Sequence, residues 1–228
     1  MFDTMMRWLG MGLCHQLPSR SFFGGGHQLP VCARDTGIYL GFVLSLAVIA
    51  ALERGRRRTW MPPAWLVVVG LALIAIMGWD GVTEYAGLRA TTNAIRLATG
   101  LGTGFALALF VAPLLNSQLW RRSEEGRLLG SDFEGGVWLV ALASSFPLIY
   151  FGGPLLGVAY PALVAVSILV TFTSVNLVVV ALVPRFERHA ERLRDAWPAV
   201  LVAVGVTLVE FALADGLRLV LLRLLSRG

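Results

Sequence analysis

Both cysteines and two of the three histidines fall within the first 36 residues, in Cys14-His15-Gln16-Leu17-Pro18 and, beyond three glycines, in His27-Gln28-Leu29-Pro30-Val31-Cys32-Ala33-Arg34-Asp35. Thiolate, imidazole and carboxylate are ligands of a borderline-soft metal such as zinc, and the glycines let the segment fold back so that its donors meet. Cys14, His15, Cys32 and Asp35 are therefore candidate ligands of a zinc ion, although their spacing matches no standard zinc finger. Two other readings stand beside this one. The thiols could form a disulfide on an oxidising face, or a dithiol exchanging with a membrane quinone or another protein. The metal is preferred because a plain disulfide has no need of a neighbouring His and Asp. His27 belongs to an echo of His15, the tetrapeptide His-Gln-Leu-Pro occurring twice.

A second group consists of Asp80-Gly81-Val82-Thr83-Glu84, then Thr91-Thr92-Asn93 and Arg96, leading to Thr99-Gly100. Asn93, Arg96 and Gly100 share one helix face by their spacing. Arg96 suits bidentate capture of a phosphate or carboxylate with Asn93 beside it. The competing roles for Arg96 are an ion pair with Asp80 that ties two helices, or snorkelling to the interface. Gly100 and Gly104 form a small-xxx-small pair suited to close helix packing. A third group is Glu210, followed by Asp215 and Arg218, which are spaced to pair with each other. Glu210 falls about 20 Å into the last apolar run, at a depth read as the outward third of the bilayer. An ionisable group there needs a partner or a watery cavity, with Arg96 or a metal as the candidates. Asp80 and Glu210 are the candidate acid or base residues.

These residues are set among elements made for lipid. The 228 residues are 57% hydrophobic and 14% charged, too apolar for a soluble globule of this size. The apolar runs are long and do not alternate, which predicts helices and excludes a β-barrel. Runs near 37–53, 61–79, 95–115, 136–152, 155–183 and 197–217 predict an all-α transmembrane bundle of about six spans. An irregular motif segment, 1–36, precedes the membrane domain, 37–228. The start of the chain does not read as a cleaved signal, since Asp3 and Arg7 interrupt its apolar residues. Gly152-Gly153-Pro154 is expected to reverse the chain between spans four and five. Ser144, Ser145, Thr171, Thr173, Ser174 and Asn176 are expected to serve helix packing, and His189 to be solvated.

All 19 basic residues are arginine, giving a net charge of +5. They lie in short loops, a pattern of membrane topology and not of nucleic-acid binding. Arg54, Arg56, Arg57 and Arg58, then Arg121, Arg122 and Arg127, then Arg185, Arg188, Arg192 and Arg194 occupy alternate loops, which the positive-inside rule makes cytoplasmic. Arg218, Arg223 and Arg227 near the C-terminus weaken this bias without reversing it. The N-terminal segment and the ends of spans two, three and six then share the outward face of the cell membrane.

Cys14 to Phe22, Gln28 to Tyr39, Asp80-Gly81 and Asn93 to Gly100 together resemble an uncharacterised family of prokaryotic predicted membrane proteins. The resemblance implies a membrane topology and no activity. The family pattern often carries a cysteine where this chain has Asp35. Aspartate can replace cysteine as a zinc ligand but not in a dithiol, so the departure favours metal. The expectation is a metal-dependent hydrolase or transferase acting on a lipid-linked or anionic substrate. Its alternatives are a metal-ion binding or transport protein, and a disulfide-containing scaffold or thiol-redox protein. With four protein ligands the metal would be structural; an open site requires one of them to stand aside. Under this topology, a membrane-impermeant maleimide added to intact cells should label cysteines placed near residue 14 and spare cysteines placed in the 121–127 loop. The reverse pattern would overturn the orientation.

Overall fold

The computed structural model describes residues 1–225, so Arg227 lies outside the described residues. The N-terminal segment is not wholly irregular. It opens with helix α1 (Phe2–Met11), passes through a 3-10 turn at Pro18–Arg20, and forms a two-residue hairpin, β1 (Phe23–Gly24) with β2 (His27–Gln28). Gly25 and Gly26 take the left-handed φ values, 58° and 81°, that so tight a turn demands.

Six helices of spanning length follow: α2 (Ala33–Glu53), α3 (Ala64–Tyr85), α4 (Asn93–Leu119), α5 (Asp132–Pro147), α6 (Ala159–Ala181) and α7 (Trp197–Leu225). The chain thus forms the expected all-α, multi-pass bundle. The last residues of the motif segment, from Ala33, are already the first turn of α2. The fourth span also runs further than expected. After Pro147 it continues through a π-helical turn, Leu148–Gly152, and a 3-10 turn, Gly153–Leu156. Gly152-Gly153-Pro154 therefore does not reverse the chain: both glycines stay helical and Pro154 occupies a turn start where no N–H is required. Reversal falls at Gly157, whose φ is 57°.

Helix α4 is the centre of the bundle and its most buried span, with α2, α3, α5 and α6 around it; α7 packs chiefly on α6. The tightest contact is α2 on α4. A Cβ on Gly100 would overlap the carbonyl oxygen of Arg34, and one on Gly104 that of Ile38; Gly37 and Gly41 meet the α4 backbone at Leu97 and Leu101 in the same way. Deeper, Ser45 donates to the Phe105 carbonyl (3.1 Å) and accepts from Trp138 Nε1 (2.9 Å), joining α2, α4 and α5.

The bundle has two distinct faces. On one, the three arginine-bearing loops converge. Here β3 (Arg58–Trp60) pairs with β4 (Glu124–Arg127), Arg57 stacks 3.5 Å from the Trp120 ring centroid and donates to the Glu191 carbonyl at 3.0 Å. Arg58 bridges Glu53 (3.3 Å) and Glu134 (3.4 Å), and Glu53 accepts from the Leu129 N–H. The other, N-terminal face is where α2, α4 and α6 begin and α3, α5 and α7 end.

Because the obstruction at Gly104 is backbone, which cannot rotate away, Gly104→Val should destabilise the protein by about 3 kcal/mol. A Cβ on Gly205 meets nothing within 4 Å, so Gly205→Ala should change stability by less than about 1 kcal/mol. Denaturant titration in detergent, followed by tryptophan fluorescence, checks both. Equal midpoints for the two variants would contradict the crossing described.

Candidate functional site

The N-terminal segment is folded back by its glutamines. Gln16 Nε2 donates to the carbonyls of Arg7 (2.9 Å) and Pro30 (2.8 Å), and Gln28 Nε2 to the Gln16 carbonyl (2.9 Å) and Ser21 Oγ (3.1 Å). The His-Gln-Leu-Pro echo is thus a pair of internal staples. His27 turns toward α1, its Nδ1 2.6 Å from Asp3 Oδ1 and its ring edge-on to Phe2.

The staples bring Cys14 to the start of α2. Cys32 caps that helix, and the Cys32 N–H donates to Cys14 Sγ at 3.3 Å. One turn into α2, Asp35 Oδ2 accepts from Cys32 Sγ, also at 3.3 Å. Ligand atoms of Cys14, Cys32 and Asp35 all lie within 4.8 Å of one another, and neither thiol is in a disulfide. His15, the fourth candidate ligand, is not brought into this group: it is exposed and borders one cavity with Arg20 and Glu84 and another with Cys14 and Arg218. Arg218 of α7 holds the segment from behind, donating to the carbonyls of Met11 and Cys14.

The two thiols differ electrostatically. Cys14 is drawn down to about 7, first by the hydrogen bond from the Cys32 side chain and further by main-chain N–H groups, against the effect of burial. Cys32 is raised far above the ordinary thiol range, because its proton is held between Cys14 and Asp35 and because burial and the Asp35 charge resist a second anion.

Beside this group lies a cluster of ion pairs at the end of α3. Asp80 accepts from Arg34 Nη2 (2.6 Å), from Arg89 and from Thr91 Oγ1 (3.2 Å). Glu84, one turn further, accepts from Arg34 Nη2 (3.0 Å) and Arg96, with Arg20 Nη2 at 3.4 Å. Asn93 Oδ1 accepts from Arg96 Nη1 at 2.8 Å. The structure therefore joins Asn93, Arg96 and Asp80 in one network. The Asp80 to Arg96 pair, one of the alternative roles for Arg96, is not formed, because Glu84 takes Arg96 and Arg34 bridges the two carboxylates. Sequence reasoning placed Glu84 in this group without giving it a role, and did not assign Arg20, Arg34 or Arg89 to it. The i, i+4 spacing of Asp80 and Glu84, which puts both carboxylates on one helix face, was the available signal.

Glu210 is apart from both groups. Asn176 Nδ2 of α6 donates to Glu210 Oε2 (2.7 Å) and to Thr207 Oγ1 (3.0 Å). Asn176 is about 25 Å along α6 from the N-terminal face at 1.5 Å per residue, so this carboxylate lies well beneath that face. Its partner is an amide, not Arg96 or the cysteine group. Asp215 and Arg218 form no ion pair among the described residues, since Arg218 is taken up by main-chain carbonyls.

The family model described as Predicted membrane protein (DUF2085) matches residues 14–110. An uncharacterized protein of Methanocaldococcus jannaschii is 32% identical over 110 residues, covering 48% of this chain and 68% of that relative. An uncharacterized protein of Methanothermobacter thermautotrophicus is 36% identical over 103 residues, covering 45% of this chain and 86% of the relative. No solved structure matches the chain. The matched stretch opens at Cys14 and closes within α4, so it contains the thiols, the arginine cluster and the glycine crossing, and leaves Glu210 outside. On this likeness the chain belongs to the DUF2085 family of predicted membrane proteins.

Proposed function

We propose that Cys14, Cys32 and Asp35 hold a zinc ion at the outward face of the cell membrane, in a metal-dependent hydrolase or transferase acting on a lipid-linked or anionic substrate. The observation that carries this reading is the convergence of two reduced thiols and a carboxylate within 4.8 Å at the start of α2. Sulfur and oxygen donors in this mixture suit zinc, and three protein donors leave a coordination position for water or a substrate oxygen, where zinc acts as a Lewis acid. His15, standing outside the group, keeps the site of the open kind. Asp80 and Glu84 fix guanidiniums beside it, and those guanidiniums supply the charge that an anionic substrate needs.

Purified full-length protein should contain stoichiometric zinc by elemental analysis. Cys14→Ser and Cys32→Ser should lose it, Asp35→Asn should bind it more weakly, and His15→Ala should retain it. Retention by both serine variants would overturn the site. In reconstituted liposomes, turnover of lipid phosphates without metal uptake separates the enzyme from a metal-transporting protein.

A second reading, a redox-active dithiol, is favoured by one observation: Cys14 Sγ accepts the Cys32 N–H at the N-terminus of α2, a setting that stabilises a thiolate. After chelation of metal, Cys14 should be alkylated by iodoacetamide with a midpoint near pH 7, while Cys32 stays protonated and unreactive through the ordinary thiol range. The sign follows from the shifts: the lowered group is a nucleophilic thiolate above about pH 7, whereas the raised one remains a thiol. Zinc should protect both. A dithiol that never holds metal would instead show the same alkylation profile before and after chelation, together with a gel mobility shift reversed by reductant.

A further inference from the structure

Four guanidinium groups, those of Arg20, Arg34, Arg89 and Arg96, meet only two carboxylates, Asp80 and Glu84. Asp35, next to Arg34 in sequence, still leaves the N-terminal face with a surplus of positive charge. The opposite face has no such surplus at its own buried cluster, where Arg58 is matched by Glu53 and Glu134. The surplus is also not spread evenly. Arg96 has each of its three nitrogens on a protein acceptor, and Arg34 is committed to both carboxylates. Arg20 is the uncommitted one. Its side chain is 45% exposed and meets the cluster through a single 3.4 Å approach to Glu84, a carboxylate already taken by Arg34 and Arg96.

Arg20 borders a cavity of about 250 Å³ whose other walls are His15, Leu17, Glu84 and Tyr85. His15 is exposed and has no hydrogen-bond partner among the described residues, so the cavity presents one donor side chain without a protein acceptor and a second, Arg20, whose one protein partner is a carboxylate already shared with Arg34 and Arg96. Its volume is several times that of a water molecule and accommodates a phosphate with its first ester carbons. On the side toward the end of α3, Val82, Tyr85 and Leu88 are 66%, 80% and 76% exposed, an apolar flank at the membrane boundary. Guanidinium recognises the paired oxygens of a phosphate by two parallel hydrogen bonds, and an imidazole can add a third.

We infer that this cavity is a binding site for a terminal phosphate monoester, with Arg20 and His15 as its donors and the Asp80, Glu84, Arg34 and Arg96 network as the scaffold that holds Arg20's side of the cavity in place. The site deepens the anionic-substrate reading above and rests on that part of it, not on the metal. Arg96, a substrate-binding candidate from its residue type, is in this assignment a positioning residue.

Binding is tested on full-length protein in nanodiscs, both as purified and after metal chelation, with zinc content measured on the same samples. The probes are inorganic phosphate, followed by phosphorus NMR line broadening, and dioleoyl phosphatidic acid against dioleoyl phosphatidylcholine, followed by native mass spectrometry. Wild-type protein should prefer phosphatidic acid about tenfold or more, or broaden inorganic phosphate; the first result assigns the site to a lipid headgroup and the second to a free phosphate. Arg20→Gln should weaken whichever binding is seen about tenfold, the loss of one charge-assisted contact, with melting temperature and zinc content unchanged. His15→Ala should produce a smaller loss. Binding of neither probe by wild type, or undiminished binding by Arg20→Gln, overturns the inference. Phosphate binding by a protein without zinc leaves it standing and overturns the metal site alone.

Discussion

Backbone contact between α2 and α4 is the constraint on which the rest of the N-terminal face depends. In hydrocarbon, apolar side chains gain little by leaving lipid for one another, so helices associate where small residues let backbones approach. Gly37, Gly41, Gly100 and Gly104 provide that approach along two successive turns of each helix. Because Gly100 lies against the Arg34 carbonyl, the first turns of α2 and α4 are held side by side. Arg34 and Arg96 then point their charges at the same end of α3, and Cys32 and Asp35 take their places relative to it. The Ser45 bridge to Phe105 and Trp138 repeats the same closeness deeper in the bundle.

Burying this much charge is tolerable only because each carboxylate is shared. Asp80 is 1% exposed and would be costly as a lone anion; with Arg34 and Arg89 on its two oxygens and Thr91 beside them, both oxygens are paired. Arg34 matters more than its single charge suggests, since it spans both acids and belongs to the same helical turn as Asp35. The cluster and the thiol group are thus two outputs of one rigid segment, the start of α2, with the stapled loop closing over it through Gln16 and Gln28.

The long-range organisation was legible in the sequence because hydrophobic length and arginine placement are local quantities. Six spans and the common face of the three arginine loops followed from them. What was not legible depended on geometry at the ends of elements. The Gly152-Gly153-Pro154 run carries every signal of a turn, yet a proline at the start of a 3-10 turn is compatible with continued winding, and only Gly157 adopts a left-handed φ. The donor types at Cys14, Cys32 and Asp35 were legible, but not that His15 would stand outside their group, because neighbouring side chains in an irregular segment have no fixed periodicity. Glu210 shows the limit of depth alone. Its distance into α7 suggested the outward third of the bilayer, yet the Asn176 amide that meets it lies about 25 Å along α6 from the N-terminal face and, belonging to another helix, could not be read from spacing.

The exclusion of His15 has consequences in both directions. A ring turned toward the thiols would complete a tetrahedron and close the metal off, as in structural zinc sites. Standing outside the thiol group, His15 leaves it one donor short of a closed zinc shell and borders the cavity that it shares with Arg20. Cys14 and His15 are consecutive, so the same short stretch of backbone, pinned by Arg218 on one side and Gln16 on the other, orients one residue into each site. An anion seated against His15 and Arg20 therefore lies one residue removed from the sulfur of Cys14. That adjacency, set by the fold-back of the segment onto α2 and not by either cluster alone, puts the proposed phosphate cavity beside the thiol group, two features that the sequence presents separately.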